Sequence, residues 1–152
     1  MRKRSKSREY ALQLLYQLDV TRAALESTAE EFWAYHRAPV DVRSFADALV
    51  RGTRSRLEEI DQRIASCADN WEIGRMAVVD RNILRLGAYE LLYTNDIPPK
   101  VALNEAVELA KRFGDEESSR FVNGILDGIH RQTATRSDAG GASRPSQPSV
   151  SP

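Results

Sequence analysis

The side chains best suited to chemistry lie at the start of the chain. The opening MRKRSKSR places Arg2, Lys3, Arg4, Lys6 and Arg8 within eight positions. It runs directly into a helical pattern whose apolar stripe is Ala11, Leu14, Leu15 and Leu18, at i, i+3, i+4 and i+7. Ser5 or Ser7 suits its N-cap, and Glu9 suits its first turn. Gln13, Tyr16 and Gln17 fall off or beside that stripe. Cationic groups pair with phosphates, amides with base edges and a phenol ring with base faces, so the combination fits a nucleic acid. The plainer reading is a solvated helix start with a tyrosine flanking the core, because basic termini are common.

Other chemistry is missing. His36 and His130 stand singly in different segments, and Cys67 is the only cysteine, so no zinc-type spacing exists. No glycine-rich phosphate loop, nucleophile elbow or His-Glu-x-x-His run is present. Glu105 and Glu108 share a helix face, but the Glu-x-x-His partners of a di-iron bundle are absent and a solvated face is the better reading. Neither catalysis nor a cofactor is expected. The single cysteine excludes an internal disulfide. No apolar run matches a membrane span, and the cytoplasm is the expected location. Lys and Arg total 22, as do Asp and Glu, for a formal charge of +0. Any polyanion binding therefore has to come from a local patch.

The element that must position these groups is Val78 to Tyr93, which is apolar almost all round. Val79, Ile83 and Leu86 form one face and Leu84, Ala88 and Leu91 another; Asp80, Arg81, Asn82, Arg85 and Glu90 are its polar exceptions. Such a helix is normally the buried axis of a bundle. Asn95-Asp96-Ile97-Pro98-Pro99 breaks the chain, and an amphipathic helix from Val101 to Phe113, with Ala102, Leu103, Ala106, Leu109, Ala110 and Phe113 on its apolar side, ends at Gly114, a C-cap glycine. Before the axis, Leu25 to Tyr35 reads as a short helix with Leu25, Phe32, Trp33 and Tyr35 packing. Val42 to Ser66 is helical, with Gly52 at a bend or close crossing, and Trp71 plugs the core at a junction. After the acidic loop Asp115-Glu116-Glu117, Ser118 or Ser119 caps a last helix from Arg120 to His130. Phe121 sits on that helix's shoulder. From Thr133 the composition turns to Ser, Pro, Gly, Ala and Thr, which predicts a disordered tail. The expected fold class is all-α, with a folded domain over 1–132 and a tail over 133–152.

Three stretches carry a family resemblance. IPPKVALNEAVELAKRFGDEESSRFVNGILDGI resembles the C-terminal signature of the NusB family of transcription antitermination factors. RKRSKSREYALQLLYQLDV is similar to that family's arginine-rich start, and VDRNILRLGAYELLY to its central helix. The resemblance runs from Arg2 to about His130. It implies a bundle of about seven helices in an N-terminal and a C-terminal helical subdomain. It further implies binding of single-stranded boxA RNA of ribosomal RNA leader transcripts together with NusE, a small-subunit ribosomal protein. The assembly acts on RNA polymerase to suppress termination and assist ribosomal RNA maturation; DNA and membranes are not among its partners.

By position, the resemblance implies RNA contacts from Arg2, Lys3, Arg4, Lys6, Arg8 and Tyr16. A second cluster falls at Glu117, Ser118, Arg120 and Phe121, with Arg85 as a further contributor. Asp80 matches an acidic residue on the NusE-facing surface. Asn104 and Glu105 read as structural, bonding a neighbouring helix end, and Asn123 and Gly124 as support for close helix packing. Two other functions compete: a helical adaptor that binds only protein, and a relative of the NusB-like domain of ribosomal RNA methyltransferases. The sequence shows no α/β domain, cofactor loop or catalytic cysteine pair for the latter.

Overall fold

The computed structural model describes the backbone of residues 2–140 and the side chains of residues 2–134. Among the described residues seven α-helices follow one another: α1 (Lys3–Thr21), α2 (Leu25–His36), α3 (Val40–Ser55), α4 (Leu57–Cys67), α5 (Val78–Tyr93), α6 (Pro99–Phe113) and α7 (Ser118–Gly140). A single 3-10 turn, Ile73–Arg75, precedes α5, and no strand occurs among the described residues. The all-α expectation holds.

The bundle is built round α5, which packs against α1, α3, α4, α6 and α7. Ile83, Leu84 and Ala88 are fully buried there. The helix is apolar on nearly every side because it has neighbours on nearly every side. Leu14 and Leu18 of α1, Ile60 and Ile64 of α4, and Leu126 and Ile129 of α7 meet it in one continuous core. Pro98 and Pro99 fix the entry to α6, as a proline in the first turn should.

Glycines mark close approaches. A Cβ at Gly52 of α3 would overlap the Tyr89 ring of α5, so this residue marks a crossing; the chain breaks four residues later, at Arg56. Gly114 caps α6 through its N–H to the Ala110 carbonyl, at 2.9 Å. Its φ of −95° would suit any residue. Glycine is required there because the Ser118 side chain occupies the space of a Cβ.

Several expectations need correction. Helix α1 begins at Lys3 with Arg2 as an N-cap that makes no side-chain bond, so neither serine caps it. Ser7 is buried, its hydroxyl 2.9 Å from the Val42 carbonyl. Tyr35 is 83% exposed and packs nothing in the core. Around Gly124 no atom lies within 4 Å of a Cβ position, and Asn123 is exposed, so this pair does not support close packing. Gly128, one turn on, does: a Cβ there would lie 3.2 Å from the Cys67 sulfur. Helix α7 also continues through the predicted boundary at Thr133 to Gly140. The rest of the expected tail, 141–152, lies outside the described residues.

Candidate nucleic-acid interface

The basic start is the first two turns of α1, and its five cations have different fates. Arg2 and Arg4 are exposed, and neither pairs with a carboxylate among the described residues. The Arg4 guanidinium lies 4.4 Å from the centre of the Phe45 ring, which fixes its direction and leaves its charge available. Lys3 is held by Asp41 at 2.7 Å. That hydrogen bond raises the Lys3 pKa and lowers that of Asp41. Lys6 lies 3.6 Å from Glu9.

Arg8 leaves the set. It is 3% exposed and forks onto Glu90, with Nε 3.0 Å from both carboxylate oxygens and Nη2 2.7 Å from Oε1. Its Nη1 faces Glu105 at 3.4 Å. Burial pushes the Glu90 carboxyl above its usual range, and the Arg8 charge opposes that shift. Glu105 also accepts a 2.9 Å bond from Ser5 in the first turn of α1, which matches the structural role expected of it. Arg8 thus pins α1 to α5 and α6 and offers nothing to a ligand.

Arg85 is a second correction. It binds Asp61 through two bonds of 2.8 and 2.9 Å and Asp19 at 3.2 Å, and it is only 9% exposed. Asp19 is shared with Arg81 at 2.9 Å and Asn82 at 2.8 Å. Burial alone would raise the Asp19 pKa, but the bonds from Asn82 and Arg81 and the charges of Arg85 and Arg81 bring it below the usual value. These groups join α1 and α4 to the axis. Ser118 is the third correction: it is 1% exposed, and its hydroxyl oxygen accepts from the Asp115 N–H at 2.9 Å. It shapes the turn into α7 from within.

The remaining predicted residues, Asp80 apart, reach the surface or its edge. Tyr16 is 41% exposed and lines an apolar groove of about 450 Å³ with Gln13, Gln17, Val20 and Phe113. Phe113 was expected in the core and is 39% exposed at the end of α6. It stands four residues before Glu117, so Tyr16 and the acidic loop share one end of the molecule. Arg112 reinforces this by pairing with Glu9. Glu117 and Arg120 are exposed, and Phe121 is half-buried against the core. Asp80 was expected at the surface but is only 9% exposed, with its Oδ1 buried and without a hydrogen-bond partner among the described residues. It occupies the first turn of α5, where the helix dipole favours a carboxylate.

From Arg4 to Tyr16 is twelve residues of helix, about 18 Å along its axis. A ligand that reaches both is therefore extended. No group of three metal-ligating side chains occurs among the described residues. No described helix is long and apolar enough to cross a membrane.

A helical bundle with exposed guanidinium groups at the start of α1 and a half-open ring further along it has the surface chemistry of a binding module. The chain belongs to the NusB family, whose model matches residues 5–131. It is 43% identical over 138 residues to the transcription antitermination protein NusB of Syntrophus aciditrophicus, covering 91% of this chain and 86% of that one. Among solved structures it is similar to NusB of T. maritima, with a TM-score of 0.78 and 39% identity over 85% of this chain and 91% of that chain. It is also similar to a chain in the structure of the antitermination factors NusB and NusE in complex with dsRNA, with a TM-score of 0.79 and 31% identity. That match covers 87% of this chain and 98% of the other. Family membership places the chain among transcription antitermination factors, which are not enzymes.

Proposed function

We propose that this chain binds boxA RNA of ribosomal RNA leader transcripts in single-stranded form, together with NusE. It then joins the antitermination complex on RNA polymerase, in the cytoplasm, and supports ribosomal RNA transcription and maturation. The observation that carries the reading is the pair of exposed guanidinium groups, Arg2 and Arg4, at the start of the helix that carries the half-exposed Tyr16. Arg2 and Arg4 supply phosphate contacts, which position RNA without reading its sequence. Tyr16 supplies a ring face, and Gln13 and Gln17 beside it supply donors and acceptors for base edges. Glu117, Arg120 and Phe121 extend the surface at the start of α7. The relative solved with NusE and dsRNA supports NusE and RNA as partners, its RNA being a duplex. Asp80, in the first turn of α5 and 9% exposed, is the group assigned to NusE.

The test is a binding titration of the full chain with a boxA-like single strand, its duplex and a scrambled strand, each with and without NusE. Tighter binding of the boxA-like strand, enhanced by NusE, is expected. Equal affinity for the scrambled strand would show RNA binding without boxA specificity, and RNA binding absent while NusE binds would identify a protein-only adaptor. The apolar groove beside Tyr16 is the feature such an adaptor would use.

A further inference from the structure

Trp71 is a side chain that sequence reasoning assigns to the interior and the structure leaves outside. The turn after α4 reverses at Asn70, whose φ is 64°, and the Trp71 N–H closes it on the Ala68 carbonyl at 3.0 Å. The indole emerges 53% exposed. Its ring neighbour among the described residues is Phe121, with centroids 5.6 Å apart and planes at 69°. Phe121 rests against the core and so holds the indole in place. An edge-to-face pair leaves at least one face of each ring clear of the other.

The surroundings indicate what would use those faces. Arg75 and Arg120 are exposed and pair with no carboxylate among the described residues, but Asp69, Glu72, Glu116 and Glu117 are exposed in the same segments. The patch is therefore not strongly cationic, and phosphate attraction alone would not select it. Aromatic faces would. An unpaired base offers a π-face to stack, whereas the bases of a duplex are already stacked on one another. One turn beyond Phe121, Gly124 leaves the surface of α7 open. Past it runs a cleft of about 1000 Å³ between α4 and α7, lined by Gln62, Arg63, Gly128 and Gln132 among others. A strand leaving the ring pair thus enters an open trough with amide donors.

We propose that Trp71 and Phe121 together form a stacking site for an unpaired base of the bound RNA, with the strand continuing into the α4–α7 cleft. The inference rests on the RNA-binding reading and adds a contact residue to it. Its test compares the full chain with Trp71→Ala and Trp71→Phe, using the boxA-like single strand and its duplex. Trp33 is 4% exposed and gives a steady background emission, so quenching by RNA reports on Trp71. The expected result is quenching of the parent chain and a loss of about tenfold in single-strand affinity for Trp71→Ala. Trp71→Phe should keep most of the affinity. The salt dependence should be the same in all three, because no phosphate contact is lost. Wild-type affinity in Trp71→Ala, or bound RNA that leaves the emission unchanged, would overturn the proposal. So would a destabilised Trp71→Ala whose folded fraction binds normally, or one that loses only NusE affinity. Failure of the parent chain to bind any RNA would overturn the function itself, a result distinct from all of these.

Discussion

Replacing Arg8 by alanine separates the structural reading of this residue from the ligand-contact reading. The substitution leaves Glu90, 1% exposed, without the guanidinium that satisfies both its oxygens. Removing one partner of a buried ion pair costs about 3–5 kcal/mol. An independent bound comes from protonation. Keeping neutral at pH 7 a carboxyl whose ordinary pKa is about 4.3 costs about 3.7 kcal/mol, at 1.36 kcal/mol per pH unit. The variant can always take that route, so its loss at pH 7 is about 4 kcal/mol.

The sign follows from linkage. The folded pKa of Glu90 already lies above the unfolded value in the parent and lies higher still in Arg8→Ala, which lacks the opposing guanidinium, so the variant's folded state holds the extra proton more strongly. Stability then falls as pH rises from the unfolded pKa to the folded one. By the same arithmetic the penalty is only about 1 kcal/mol at pH 5. Thermal melts of parent and variant should therefore differ by about 8–15 °C at pH 7 and converge toward pH 5. Arg8→Leu combined with Glu90→Leu should recover most of the loss, because an apolar pair is often neutral in such a place. RNA affinity of the folded variant, and its salt dependence, should match the parent. An Arg8→Ala chain that melts like the parent yet loses RNA affinity would refute this reasoning.

Other substitutions test other parts of the account. Asp19→Asn should cost about 2 kcal/mol at pH 7, since it removes a carboxylate that takes charged bonds from Arg81 and Arg85. Because the folded pKa of Asp19 is lowered, that stability is present above about pH 4 and lost below it, so melts of the two chains should converge in acid. Gly52→Ala should cost about 1–3 kcal/mol by driving a Cβ into the Tyr89 ring, and Tyr89→Leu in the same chain should restore part of it in a denaturant titration. Asp80→Asn should weaken NusE binding by calorimetry while changing stability by only about 0.3–1 kcal/mol. Tyr16→Ala should lower RNA affinity about tenfold with little change in melting, since the ring is 41% exposed.

The parts of this fold legible in the sequence are those set by local pattern. Helix α5 is bounded as expected, Val78–Tyr93, because its apolar residues run all round and the Pro98-Pro99 pair follows soon after. The basic start was also legible as charge. What the pattern cannot carry is pairing across the chain. Arg8 and Glu90 are 82 positions apart, and nothing near either residue reveals that they meet. Arg85 reads as a polar exception on an apolar helix until Asp61 and Asp19 are brought to it. Helical spacing assigned Phe113 to the core and misplaced it, because a helix end at the rim of the bundle exposes one side of the last turn. Trp71 was misplaced by size alone: large rings usually fill cores, and only the turn at Asn70 shows this one directed outward.

The central claim is that unpaired RNA lies along the first turn of α1, the Tyr16 groove and the start of α7. A map of backbone amide shifts in the full chain, recorded by NMR as a boxA-like single strand is added, tests it most directly. Changes are expected at Arg2 to Lys6, Gln13 to Gln17, and Glu117 to Gly124, with Trp71 moving alongside them. Changes confined to α2 and α3, or none at a saturating RNA concentration, would contradict it.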